Sequence, residues 1–253
     1  MSHSVRHFAG DLYANAGIWS PPSSAANFCE EDYVVTIYIA EFINSLSNLA
    51  YIYYAIQHYS KSRSVDIMSA SIFLVGICSF IFHATLRQTM QFGDDLSMLF
   101  LAGSLIQRLY CAGQQEASTR RLITTAVYGA VFLMSAYYVQ SGNIVVHTSM
   151  FAVLLTFVWP RTIYLINRRQ AQSPQQKAQE KVRLYWKFRK AVFALAIGFL
   201  VWNIDLEACQ FLRNLRNAIG LPWAWALELH GWWHFLTALG AAIYMDLIRE
   251  LCP

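Results

Sequence analysis

The chain has 253 residues, of which 56% are apolar and only 13% charged, with a net charge of +4. That charged share is about half that of an average soluble domain, which excludes a soluble globule as well as a disordered chain, a coiled coil and a disulfide-rich miniprotein. The excess charge is small and sits mostly in one segment, so no nucleic-acid partner is expected and the solvent is read as lipid.

In chain order the first element is a tail, residues 1–32, without the apolar run that a cleaved signal peptide needs; it is expected to be retained. A hydrocarbon core of roughly 30 Å takes about 20 apolar residues as helix. By that measure seven spans follow, at residues 33–58, 64–86, 94–111, 122–140, 144–166, 191–213 and 222–247. Residues 67–86 and 122–142 contain no Asp, Glu, Lys or Arg at all. The connections are short, Pro21 and Pro22 precede the first span, Pro222 opens the last, and no repeat appears. The expected fold is an all-α membrane protein, one seven-transmembrane-helix bundle over residues 33–250.

Basic residues set the orientation. The side of the tail holds Arg6, Arg87, Arg213 and Arg216, and the other fifteen of the nineteen, Arg63 and the whole 168–190 loop among them, fall opposite. Lys and Arg favour the cytosolic side, which puts the N-terminus in a lumen and the C-terminus in the cytosol.

Ionisable groups inside spans are expensive and mark function. Glu41 lies on the first span, Ser79 and His83 on the second, Asp94 and Asp95 open the third, Asp205 and Glu207 end the sixth, and Glu228, His230 and His234 begin the seventh. Alternating topology brings these groups to one level in the lumenal half. His230 and His234, at i and i+4, share a helix face, and with His83 they make the three-histidine set of a catalytic zinc. Zinc brings the pKa of water toward neutrality; Asp94 is placed to take its proton and hand it on, and Ser79 to support a polarised carbonyl. His58 and His147 read as interfacial or packing residues, and Asp205 as a member of an interior network.

At these residues the sequence resembles the alkaline ceramidases, a seven-helix family within a wider superfamily of membrane hydrolases and receptors. The segments that carry the resemblance are NFCEEDYVVTIYIAEFINSLSN (27–48), SFIFHATLRQTMQFGDDLSM (79–98), W-N-x-D at 202–205 and HGWWHFLTALG (230–240). It implies an amidohydrolase that cleaves ceramide, including dihydro- or phytoceramide, to a sphingoid base and a fatty acid. Zinc is implied on His83, His230 and His234, with Ser79 and Asp94 at the remaining catalytic positions. It also implies calcium on Asn27, Phe28 (through its carbonyl), Glu30, Asp32 and Glu41, an oxygen-rich set of the kind calcium takes. Two departures stand out: the family's Asp and Asn have exchanged places at Asn27 and Asp32, and Phe28 replaces Trp.

Of five cysteines, Cys78, Cys111 and Cys252 fall in spans or on the cytosolic side, and are read as free. Cys29 and Cys209 both fall on the lumenal side, where an oxidising compartment permits a bridge. The partners expected are the bilayer and its ceramide, with no obligate protein partner, in the endoplasmic reticulum and/or Golgi membrane. Two other readings share these residues: a seven-helix receptor or GPI-lipid remodelling hydrolase of the same superfamily, and a polytopic transporter. The 27–41 segment speaks against the first, and the lack of a helix-breaking pair at mid-span against the second.

Overall fold

The charge-free stretches fold as helices whose ends are set by their flanking residues. The computed structural model describes residues 11–62, 64–170 and 173–253; Arg6 and Arg63 lie outside them. The helices are α1 (Phe42–Ser47), α2 (Leu49–Ser62), α3 (Ile67–Thr85), α4 (Gln88–Cys111), α5 (Ala117–Ser141), α6 (Ile144–Arg168), α7 (Pro174–Glu207), α8 (Cys209–Ile219) and α9 (Leu229–Leu251). Among them α3, α5 and α6 are long and apolar enough to cross a membrane by themselves. The pair α7 and α8 is a further candidate, bent by 86°.

Local chemistry explains the boundaries. Asp66 caps α3, its carboxylate accepting from the Ser69 amide at 2.7 Å, and Asn143 and Ser173 cap α6 and α7 in the same way. Pro174 occupies the first turn of α7, where its missing N–H costs nothing. α3 ends on Leu86, which holds φ +48°, a left-handed conformation costly for a branched residue. The strain is held by context: Leu86 is fully buried against Tyr33, Ala40 and Phe82, and its carbonyl accepts from both Ser23 and Ser24. That corner seats the N-terminal segment on the bundle.

α7 packs most extensively against α9, and α3 against α4. Gly240 permits the first contact, since a Cβ there would stand 3.0 Å from Leu195 and 3.1 Å from the Ala191 carbonyl. The outward faces remain apolar: Phe132, Leu133, Phe193 and Leu200 are all exposed, as lipid-facing side chains are. The buried core runs between helices through Leu99, Leu109, Val158, Ile166, Leu184 and Ile248.

Several expected spans have different limits. The first begins as helix only at Phe42, because residues 33–41 form turns, with Tyr33 at φ +56°, and it is interrupted at Asn48. The third starts at Gln88, so Asp94 lies within the helix instead of opening it. The sixth is the end of a 34-residue helix that already begins at Pro174, so most of the supposed 168–190 loop is helical. That helix stops at Glu207, and Arg213 belongs to α8. The last span becomes α-helical at Leu229, residues 223–227 being a 3-10 turn. Apolar content alone does not separate a helix from the polar anchors that end it. Here the anchors are Cys29, which draws α8 aside, and Asp205, which receives the first turn of α9.

Candidate active site

Three elements meet at the end of the bundle where α3 finishes and α9 begins. α3 presents His83 in its last turn and α9 presents His230 and His234 in its first two. α1 lies across both, and Gly231 lets it come close: a Cβ there would stand 3.2 Å from Ile43. The three imidazoles are buried, and one ligand atom from each lies within 4.8 Å of the others. Among the described residues this is the one group of His, Cys, Asp and Glu drawn together so closely.

Hydrogen bonds set which nitrogen two of the rings offer. The Nδ1 of His83 is 2.5 Å from Glu41 Oε2. With the carboxylate ionised, it can only accept, so His83 donates from Nδ1 and keeps its lone pair on Nε2. Ser47 Oγ donates to the Asn44 carbonyl at 2.8 Å and therefore accepts from His234 Nδ1, also at 2.8 Å, leaving Nε2 of His234 with the lone pair. His230 Nδ1 is buried without a hydrogen-bond partner, and the Phe28 ring stacks on this imidazole with centroids 3.6 Å apart. Three neutral imidazoles, two of them oriented by an outer acceptor and one with an orphaned nitrogen, fit a divalent ion that accepts nitrogen ligands.

Ser79 sits one turn before His83 on α3, and its Oγ donates to Asp94 Oδ2 at 3.2 Å. Asp94, on α4, is thereby tied to α3 one turn from His83. Its neighbour Asp95 points away into a separate buried network. There it accepts from Tyr138 at 2.5 Å and from Gln91 at 3.4 Å, and its backbone carbonyl lies 3.1 Å from His147 Nε2. His58 stands 3.9 Å from Asp66, at the other end of α3.

The loop before α1 surrounds the trio on its outer side. Glu30 accepts from the first amides of α1, Ile43 at 2.7 Å and Asn44 at 2.8 Å, as an acidic residue at a helix N-terminus should. Asn27 Oδ1 accepts from the Phe28 amide, and Glu41 receives the same amide and the Asn44 side chain in addition to His83. Asp32 is buried, with Oδ1 unpartnered. Burial, and next the Glu41 carboxylate, pushes the carboxyls of Glu30 and Asp32 up to about 8. These oxygens face the same region, yet in this arrangement each of Asn27, Glu30 and Glu41 is engaged by protein donors.

A disulfide joins Cys29 to Cys209, while Cys78, Cys111 and Cys252 are free. Asp205 accepts from the amides of both Cys29, at 3.1 Å, and His230, at 3.3 Å. It therefore ties the loop to the first turn of α9. Arg213 and Arg216 both donate to the Cys29 carbonyl, and Arg216 is paired with Glu228.

Two residues escape the sequence reading. Ser47 and Asn44 carry no chemistry of their own in the motif, and their role appears only when α1 is laid against α9. The signal available was spacing: they follow Glu41 at intervals of three and six, near one face of a helix. Glu41 itself was assigned only to an oxygen site, whereas the structure also sets it on His83.

The ceramidase family model matches residues 20–251. Among curated proteins the chain is 29% identical to alkaline ceramidase 3 of Mus musculus, over 90% of this chain and 84% of that one. It is 29% identical to alkaline ceramidase YPC1 of Saccharomyces cerevisiae, over 93% and 78% respectively. An alkaline ceramidase of Arabidopsis thaliana matches at 25%, over 89% and 83%. With nearly the whole helical bundle and its histidine end inside the match, the chain belongs to the alkaline ceramidase family.

Proposed function

We propose that the protein hydrolyses the amide bond of ceramide, releasing a sphingoid base and a fatty acid, with zinc held by His83, His230 and His234. The observation that carries the reading is the buried trio in a family of ceramidases, its rings oriented by Glu41 and Ser47 so that unprotonated nitrogens remain for an ion. When bound, zinc supplies Lewis acidity, which polarises a carbonyl and brings the pKa of water toward neutrality. The protein's own part is proton handling. Ser79 donates to Oδ2 of Asp94, so Oδ1 is the oxygen that takes a proton from water as water adds to the carbonyl carbon. The same oxygen returns the proton to the amide nitrogen as the C–N bond breaks, which lets the amine leave neutral. Glu41 and Ser47 hold two imidazoles in register, and Phe28 covers a third.

Calcium is the second ion in the proposal, on Asn27, the Phe28 carbonyl, Glu30, Asp32 and Glu41. What supports it is a concentration of buried carboxylates, those of Glu30 and Asp32 pushed up by burial and next by Glu41, with Asp32 Oδ1 unpartnered and acceptor capacity left on Glu30 and Glu41. Its contribution would be to neutralise that charge and hold the loop. Seven crossings are proposed for α1 with α2, α3, α4, α5, α6, α7 and α9, of which α3, α5 and α6 have the length and apolar content by themselves. The Lys and Arg distribution supports a lumenal N-terminus, and the family supports the endoplasmic reticulum or Golgi membrane.

The test is to incubate purified protein in detergent with ceramides of sphingosine, dihydrosphingosine and phytosphingosine bases and follow free fatty acid. Release is expected from at least one, and is expected to vanish in His83→Ala and His230→Ala and on treatment with a zinc chelator. Full activity in either alanine variant would overturn the zinc assignment; no release from any ceramide would overturn the reaction.

A further inference from the structure

Residues 168–190 hold eight basic side chains and one acidic, Glu180. Three of the eight have carboxylate partners: Arg169 with Glu180 at 3.7 Å, Arg183 with Glu250 at 2.7 Å, and Lys187 with Glu250. Arg168, Lys177, Lys181, Arg189 and Lys190 form no ion pair among the described residues, and all five are exposed. Three of these cations lie over aromatic rings: Arg168 over Tyr164 at 5.1 Å, Lys181 over Tyr185 at 5.9 Å and Lys190 over Trp186 at 5.8 Å.

Trp186 is 59% exposed and stands between two shallow grooves on α7. One is lined by Val182, Arg183, Lys187 and Lys190, the other by Lys181, Tyr185 and Arg189. A few residues along the helix toward the histidine end, exposed side chains turn purely apolar, at Phe193, Phe199 and Leu200. A helix leaving hydrocarbon changes in this order: apolar, then Trp and Tyr with long cations, then water. From Lys190 back to Lys177 the helix continues for about 20 Å at 1.5 Å per residue, more than the roughly 5–8 Å of one headgroup layer, so its cations run through that layer and into water.

We propose that this half of α7 is a docking site for anionic phospholipid headgroups of the leaflet from which it emerges, with Lys181, Arg189 and Lys190 on phosphate and Trp186 seated between them. The proposal uses the membrane placement of the helices and is independent of the hydrolytic reaction. Its occupant follows from charge complementarity: a surplus of unpaired cations faces the one large anionic surface present at that depth.

The experiment uses the full chain in phosphatidylcholine vesicles containing an equal mole fraction of brominated phosphatidylserine or brominated phosphatidylcholine. Quenching of Trp186 is obtained by difference from Trp186→Phe. Stronger quenching by the serine lipid is expected, lowered about fivefold in relative affinity by Lys190→Gln at low salt. It is expected to be abolished in the Lys181→Gln/Arg189→Gln/Lys190→Gln variant, with fatty acid release in detergent retained. Equal quenching by both lipids, or a preference that survives the triple change, overturns the proposal. So does loss of the preference on adding inorganic phosphate at matched ionic strength, which would assign the grooves to free phosphate.

Discussion

The two ends of the bundle handle polar groups in opposite ways. At the histidine end, Glu30, Glu41, Asp205, Glu228 and Arg216 are buried, and each is held by a backbone amide, a backbone carbonyl or a single partner. At the other end Arg183 and Lys187 meet Glu250, and Arg249 meets Asp66, in partly exposed pairs on the rim. Burial makes an unpaired charge costly, so the first set specifies one geometry, whereas rim pairs in water are worth little. Chemistry is therefore expected to depend on the first set, while the rim pairs contribute only modestly to stability.

The largest effect short of removing a histidine should come from Cys209→Ser. The bridge closes a loop spanning 180 residues and anchors the outer wall of the site. Its loss should cost about 2–5 kcal/mol, read as a fall in thermal stability in detergent and as altered mobility of the wild type, but not the variant, on reduction. Stability unchanged from the wild type would mean that the loop is held by Asp205 and the two arginines alone.

Glu41→Gln should come next. In place of the carboxylate His83 meets a neutral amide, whose oxygen is a weaker acceptor and whose NH2 can turn a donor toward the ring instead, and zinc affinity should fall by about 10–100-fold, measured by competition with a chelator while far-UV circular dichroism stays helical. Ser47→Ala removes only a neutral acceptor from His234, with an expected cost of about 1 kcal/mol in ion affinity. If both substitutions left zinc binding untouched, the contrast between the two ends would lose its functional meaning.

The smallest effect belongs to the rim. Partial burial raises the Asp66 carboxyl, but hydrogen bonds from Arg249 and Ser69 outweigh it and hold the group below the usual carboxylate range. A depressed folded pKa stabilises above the unfolded value, about 3.9, and the benefit is lost as pH falls through the folded one. Thermal unfolding below about pH 4 should therefore show a loss of stability that Asp66→Asn largely removes, with hydrolytic activity at alkaline pH unaffected.

Much of this was legible in the residues. His83, His230 and His234 were found because charge-poor helices make every ionisable group conspicuous, and the i, i+4 spacing pointed two of them the same way. Ser79 and Asp94 were expected to serve the same centre; the structure shows a hydrogen bond between them, which joins α3 to α4. The boundaries of the first, third, sixth and last spans were less legible, because hydropathy reports solvent preference and is blind to where polar anchors stop a helix. Glu41 shows the same limit at the level of one residue: the resemblance made it an expected oxygen ligand, while the structure sets its carboxylate against the imidazole of His83 on α3.

By itself the sequence determined the apolar, helical class of this protein and singled out the three histidines that the fold brings together, since composition, periodicity and spacing are properties of a chain. Tertiary structure alone decided that Ser47 meets His234, that Phe28 covers His230, and that α8 bends by 86° from α7 at Ala208. The two contacts join residues 187 or more positions apart. Such separations are closed by packing and buried polar bonds, which local pattern does not encode.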